Sequence, residues 1–216
     1  MKSESKKYLL AAVNTLLAFV VWTILICIVD VRAVGPRDSV VGFATINQHF
    51  HRLTGAHMTL YHITDWLGLV PVGFIFGFAI LGLVQWFQRK RIWKVDFSIL
   101  VLGGFYLIVL AAYLLFEEFA INYRPVLISG YLEASYPSST TLLVLCVMPT
   151  AILQLDGRIK NVILKKCVRW AIAVFIAFMV IGRLISGVHW ITDIIGGAFL
   201  SAALVLLYRF VLSFEN

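Results

Sequence analysis

Arg183, His189 and Asp193 fall within a stretch, Gly182-Arg-Leu-Ile-Ser-Gly-Val-His-Trp-Ile-Thr-Asp193, that is otherwise largely apolar. A charged side chain in a membrane-embedded run is costly and marks a functional or pairing role. On a helix beginning near Val188, His189 and Asp193 share a face at i, i+4. The carboxylate then accepts from one ring nitrogen and leaves the other free as a nucleophile, the base and orienter relation of acyl-transfer triads. The same pair also suits a buried polar contact between two helices, or half of a metal site.

A second group of residues bears on that choice. The segment Glu117-Glu-Phe-Ala-Ile-Asn-Tyr-Arg124-Pro125 is followed by Tyr136-Pro137-Ser138-Ser139-Thr140. The Arg124 guanidinium suits bidentate phosphate recognition. Pro137-Ser138-Ser139-Thr140 opens a helix, so hydroxyls and unpaired amides point at one spot, an anion site of the helix N-terminal kind. Taken singly, each feature also reads as capping or interfacial anchoring. Together, two arginines, a helix N-terminus and an oriented histidine converge on a phosphoryl group.

The elements that must position these residues are membrane spans. The chain has 216 residues, 61% hydrophobic and 13% charged, with a mean hydropathy of +0.94; soluble domains carry about 25% charged residues. A span needs roughly 20 apolar residues, and six windows qualify, at about 8–29, 66–87, 97–116, 140–155, 167–186 and 190–212. The expected fold is an all-α, integral membrane bundle of six helices forming a single domain over residues 1–216. Lys2, Lys6, Lys7, Arg89, Lys90, Arg91, Lys94, Arg158, Lys160, Lys165, Lys166, Arg169 and Arg209 alternate with Arg32, Arg37, Arg52, Arg124 and Arg183. Cytoplasmic loops keep positive charge. The pattern places both termini in the cytoplasm, and the Arg183 cluster on the outer face of the plasma membrane. The net charge of +7 is thus mainly a topology signal, and nucleic-acid binding is excluded because the basic residues form no single patch.

The first apolar run exceeds a signal-peptide core, and Asp30-Val-Arg-Ala-Val-Gly is a weak cleavage context, so it reads as an uncleaved anchor. Cys27, Cys146 and Cys167 lack CxxC spacing and read as small hydrophobes, with no disulfide framework or zinc site. Residues 39–51 interleave apolar and polar positions, as in an amphipathic helix at the outer interface between spans one and two. A lid over a lipid entrance is the alternative for that segment. Tyr61-His-Ile-Thr-Asp-Trp66 then leads into the second span at headgroup level. His49, His51, His57 and His62 have irregular spacing and read as structural or interfacial, not as a metal site.

In these motifs the chain resembles the type 2 phosphatidic acid phosphatase superfamily, which includes bacterial undecaprenyl-diphosphate and phosphatidylglycerophosphate phosphatases. The family's motifs run K-x₆-R-P, P-S-G-H and S-R-x₅-H-x₃-D, usually on six membrane helices and without a metal. Arg124-Pro125 retains the end of the first motif, and the third is kept with Gly182 where serine is common. The resemblance implies that His189 attacks phosphorus to form a phosphohistidine and that Asp193 orients it. It further implies that Arg124, Arg183, Ser138 and the backbone N–H groups at Ser139 and Thr140 hold the phosphoryl oxygens. No cofactor is implied, and the partner is a membrane lipid phosphate or diphosphate.

Two positions depart from the pattern. Glu117 stands where the first motif has lysine, and Ser139-Thr140 where the second has glycine and histidine. That histidine is the family's general acid, a role worth typically 10² to 10⁴ in rate. Glu117, Glu118 and Glu133 are the candidates for a substitute acid or a headgroup contact; a solvated helix end is the plain reading of the first two. The expectation is a lipid phosphatase facing the extracytoplasmic side. The alternatives are a degenerate member that binds lipid phosphate as a sensor or transporter, a lipid phosphotransferase, and a structural subunit whose polar cluster only joins helices.

Overall fold

A computed structural model describes residues 3–214; Lys2, counted above among the cytoplasmic charges, lies outside them. Eight α-helices account for most of the chain: α1 (Ser3–Ile28), α2 (Ala44–Thr54), α3 (Met58–Leu67), α4 (Leu69–Arg89), α5 (Phe97–Glu118), α6 (Ser139–Arg158), α7 (Val162–Ile185) and α8 (Ile191–Leu212). Among the described residues six helical stretches are long and apolar enough to cross a membrane, the second being α3 and α4 together over Met58–Arg89. At a rise of 1.5 Å per residue, about 20 residues cover the hydrocarbon core of ~30 Å. A helix also satisfies every backbone polar group within the segment, as lipid demands.

The spans match the apolar windows, with ends a few residues longer. The second begins earlier because Tyr61–Trp66 is helical and runs on into α4 through Gly68, whose N–H is shared by the Thr64 and Asp65 carbonyls (3.1 and 3.0 Å). α6 packs against α4, α5, α7 and α8, while α1 lies along α8. That central position explains why α6 is the most buried span and carries inward-facing Thr141, Thr150 and Gln154.

The two ends of the bundle differ in chemistry. At one, Ser213 Oγ donates to Ser5 Oγ (2.8 Å), and Asp96 accepts from Gln85 Nε2 (2.8 Å), Arg89 Nη1 (2.9 Å) and Arg158 Nη2 (3.4 Å). The Gln85 bond and these guanidiniums hold the Asp96 carboxyl below its usual range. At the other, the loop after α1 folds over the bundle. β1 (Arg32–Ala33) pairs antiparallel with β2 (Val40–Val41), so the expected amphipathic helix over 39–51 is displaced to α2: Val40 and Val41 are taken up by strand pairing. α2 does more than rest on the interface. Its Asn47 is fully buried, donating to Gly42 O (2.8 Å) and Thr192 Oγ1 (3.0 Å), which clamps the helix onto the start of α8. Gly42 is required there, since a Cβ would fall 1.7 Å from the Ile26 carbonyl oxygen.

Candidate active site

The loop between α5 and α6 is shaped by backbone pairing. Arg124 N donates to Glu133 O (3.1 Å) and Ser135 N to Asn122 O (2.8 Å), so Arg124 and Ser135 are held on facing strands of a short hairpin. Trp190 Nε1 ties the hairpin to the α7–α8 turn through Tyr123 O (2.7 Å), and Ser138 N donates to Asp193 O (3.1 Å). The α7–α8 turn depends on Gly187, which has φ +66° and sits where a Cβ would strike Gly55 O. These contacts bring the 119–138 loop, the end of α7 and the start of α8 to one place.

His189 does not share a helix face with Asp193 as the i, i+4 spacing predicted. α8 begins at Ile191, because Asp193 caps it by accepting the Trp190 N–H (2.9 Å). His189 therefore lies in the turn, and its Nδ1 is 3.9 Å from Asp193 Oδ2, too far for a hydrogen bond. Ser135 fills the gap. Its hydroxyl lies 3.0 Å from His189 Nδ1 and donates to Asp193 Oδ2 (2.5 Å), and Asn122 Nδ2 donates to Oδ1 (3.4 Å).

The proton inventory follows. A hydroxyl has one proton; Ser135 gives it to the carboxylate, so it accepts from Nδ1–H, as does the Ser135 carbonyl oxygen (3.2 Å). The lone pair is thereby placed on Nε2, which is buried and without a hydrogen-bond partner. Burial, then the positive charges of Arg124 and Arg183, hold the imidazole well below its usual range and keep it neutral.

The two arginines have spare donors. Arg183, 2% exposed, donates weakly from Nη1 to Thr64 Oγ1 (3.3 Å) and Tyr61 O (3.4 Å), and from Nη2 to Asp65 Oδ1 (3.4 Å). Its Nε makes no hydrogen bond. Arg124 Nε lies 3.1 Å from Glu133 Oε2 but off line, so that neither Nε nor Nη1 is hydrogen-bonded. The Tyr61 ring is a shelf for both guanidiniums, 4.8 Å from Arg183 Cζ and 5.9 Å from Arg124 Cζ. Buried donors without partners each cost about 1–3 kcal/mol, more when charged. Unpaired nitrogens on three neighbouring side chains are the mark of a site built for an anionic ligand.

The remaining candidates divide. Ser138 is fully buried, accepts from Thr141 Oγ1 (3.0 Å) and spends its amide on Asp193 O, so the anion-facing amides are those at 139–141, ahead of the first intrahelical bond from Leu142 N to Ser138 O. Ser139 and Thr140 open onto a groove of about 920 Å³ between α4 and α5, floored by α6. The groove is almost wholly apolar and runs from Asp65, Tyr113 and Thr140 to Trp86 and Ile92 near the opposite end. Glu117 lines a small recess with Tyr113, Ser135 and Ser139; Glu118, exposed, lines neither.

Ser135, Asn122, Tyr61, Thr64 and Asp65 were not expected at the site. Asp65 carried the one usable signal, an acid at the head of an apolar span. The histidines between the first two spans do not gather: His51 bonds Gly187 O (3.1 Å) and His57 bonds Thr54 O (2.7 Å).

The family model of the PAP2 superfamily matches residues 115–215, the span that holds Arg124, Ser135, Arg183, His189 and Asp193. The crystal structure of the first transmembrane PAP2 type phosphatidylglycerolphosphate phosphatase from Bacillus subtilis has the same fold, with a TM-score of 0.56 and 21% identity over 95% of this chain and 98% of that one. No curated protein matches the chain.

Proposed function

Because residues 115–215 match the family model of the PAP2 superfamily, we propose that this protein is a membrane phosphatase that removes phosphate from a lipid phosphate or diphosphate, through a phosphohistidine formed on His189. The observation that carries the reading is the unpartnered Nε2 of His189 beside the unpaired guanidinium donors of Arg124 and Arg183. In the first step Nε2 attacks phosphorus, the N–P bond forms, and the bond from phosphorus to the lipid-side oxygen breaks. Arg124, Arg183 and the amides at 139–141 bind the equatorial oxygens, and such positioning and charge stabilisation make up most of phosphoryl-transfer catalysis. Ser135 and Asp193 hold the imidazole and stabilise the charge it gains. Water then attacks phosphorus, the N–P bond breaks, and phosphate leaves.

The apolar groove supports a lipid substrate, since its polar end reaches Ser139 and Thr140 while its length is suited to a hydrocarbon tail. The charge asymmetry of the loops supports a site on the outer face, with both termini in the cytoplasm.

The test is phosphate release by purified protein and by His189→Ala, offered phosphatidic acid, phosphatidylglycerophosphate, undecaprenyl phosphate and undecaprenyl diphosphate. The expected result is release from at least one lipid that the variant abolishes. Equal release by both proteins, or none from any lipid, refutes the proposal.

A further inference from the structure

A phosphatase that cleaves an alkyl phosphate must deliver a proton to the leaving oxygen, because a lipid alkoxide is a poor leaving group. Resting on the phosphatase reading above, the tail lies in the groove between α4 and α5, so the leaving oxygen sits at the groove's polar mouth. The groove is lined by one carboxylate, that of Asp65, at the same mouth as Ser139 and Thr140. The other acids near the site are placed differently: Glu133 is held against Arg124, and Glu117 lines the adjoining small recess beside Ser135 and not the groove itself. His189 and Ser135 are outside the groove lining, so the nucleophile does not occupy the place of the leaving oxygen.

We propose that Asp65 is the general acid and base of the reaction, protonating the lipid oxygen at the groove mouth. Its contact with Arg183 Nη2 (3.4 Å) sets the carboxyl beside a guanidinium that binds the phosphoryl group. When substrate binds, its phosphate oxygens take over the Arg183 donors, which frees the Asp65 carboxyl to turn to the lipid oxygen at the groove mouth. The Asp65 proton then passes to the lipid oxygen as the P–O bond breaks, giving the lipid alcohol. In the second step the Asp65 carboxylate takes a proton from the attacking water, and the acid is regenerated as phosphate departs.

Gly182 makes this placement possible. A Cβ there would lie 2.8 Å from Thr64 Cγ2, so the bare backbone lets α3 close on α7 and carry Asp65 to Arg183.

The test compares Asp65→Asn with wild type on phosphatidic acid, whose leaving group needs a proton, and on p-nitrophenyl phosphate, whose leaving group does not. His189→Ala serves as blank, and thermal unfolding checks the fold. The expected loss on phosphatidic acid is about 10²–10⁴-fold, with a much smaller loss on the aryl ester and partial rescue by Asp65→Glu. An equal loss on both substrates assigns Asp65 to positioning Arg183 and overturns the acid role, as does release confined to diphosphates. Absence of His189-dependent release from every lipid refutes the phosphatase reading itself, and the acid with it.

Discussion

His189 Nδ1 and Asp193 Oδ2 stand 3.9 Å apart with the Ser135 hydroxyl seated between them, 3.0 Å from the ring nitrogen and 2.5 Å from the carboxylate. The carboxylate therefore acts on the imidazole through a hydroxyl. Ser135→Ala is expected to lower turnover by about 10–100-fold, the equivalent of roughly 1.4–2.7 kcal/mol at 1.36 per tenfold, with little change in KM. Ser135→Thr, which keeps the hydroxyl, should recover most of it. In the Ser135→Ala background, Asp193→Asn should cost less than it does in wild type, because the two changes break one chain. Steady-state kinetics of the four proteins in that cycle decide it, and additive losses count against the relay.

Arg124 is a buried cation with donors left over, an arrangement that serves a ligand at the expense of the free protein. Arg124→Ala is expected to reduce kcat/KM by about 10²–10³-fold, the scale of losing one oxyanion donor. It should leave the melting temperature unchanged or higher, because an underpaired buried charge is removed. Activity and thermal unfolding of the same preparation check both halves. A large drop in melting temperature assigns Arg124 to structure.

Gly182→Ser restores the residue common in the third motif but sets a side chain against Thr64. Overpacking of this kind costs typically 1–3 kcal/mol. The expected outcome is a lower melting temperature, recovered when Thr64→Ser removes the opposing methyl group. Without that recovery, the close approach of α3 and α7 is not what selects glycine.

His189 sets a pH dependence. Its folded-state pKa is depressed by burial and by Arg124 and Arg183, while an unfolded histidine titrates near 6.5. Below about 6.5 the unfolded chain binds a proton that the folded chain does not, so stability is retained above that pH and falls as the pH is lowered through the folded value. The neutral nucleophile likewise persists below pH 6.5. Melting temperatures at stepped pH should show an acid-side slope that is smaller in His189→Gln, and the His189 acid limb of kcat/KM should fall below 6.5. An unchanged slope in the variant contradicts the assignment.

The fold was legible because lipid imposes a simple code. Hydropathy located the spans. Arg183, His189 and Asp193 stood out for the same reason, as polar residues in an apolar run. Ser135 did not, because its role depends on the antiparallel pairing of the backbone around Tyr123 and Ala134, which no periodicity records. Asp65 did not stand out because Tyr61–Trp66 reads as a lead-in to the span, with Tyr61 and Trp66 suited to the headgroup level; the α3–α7 contact that gives Asp65 a partner rests on a missing Cβ at Gly182. The start of α8 was misplaced by three residues because the Asp193 carboxylate is committed to the Trp190 amide, which fixes the cap at Trp190 and leaves His189 in the turn.

The proposed reaction turns on a covalent bond from His189 Nε2 to phosphorus. The most direct measurement is to mix the purified protein with a lipid carrying a radiolabelled phosphate, quench in alkali and map the label by proteolysis and mass spectrometry. The expected result is a phosphoryl group on the peptide containing His189, stable to alkali and lost in acid, and absent from His189→Ala. Labelled phosphate released by wild type with no phosphorylated His189 at any quench time, under turnover fast enough to populate the intermediate, would contradict it.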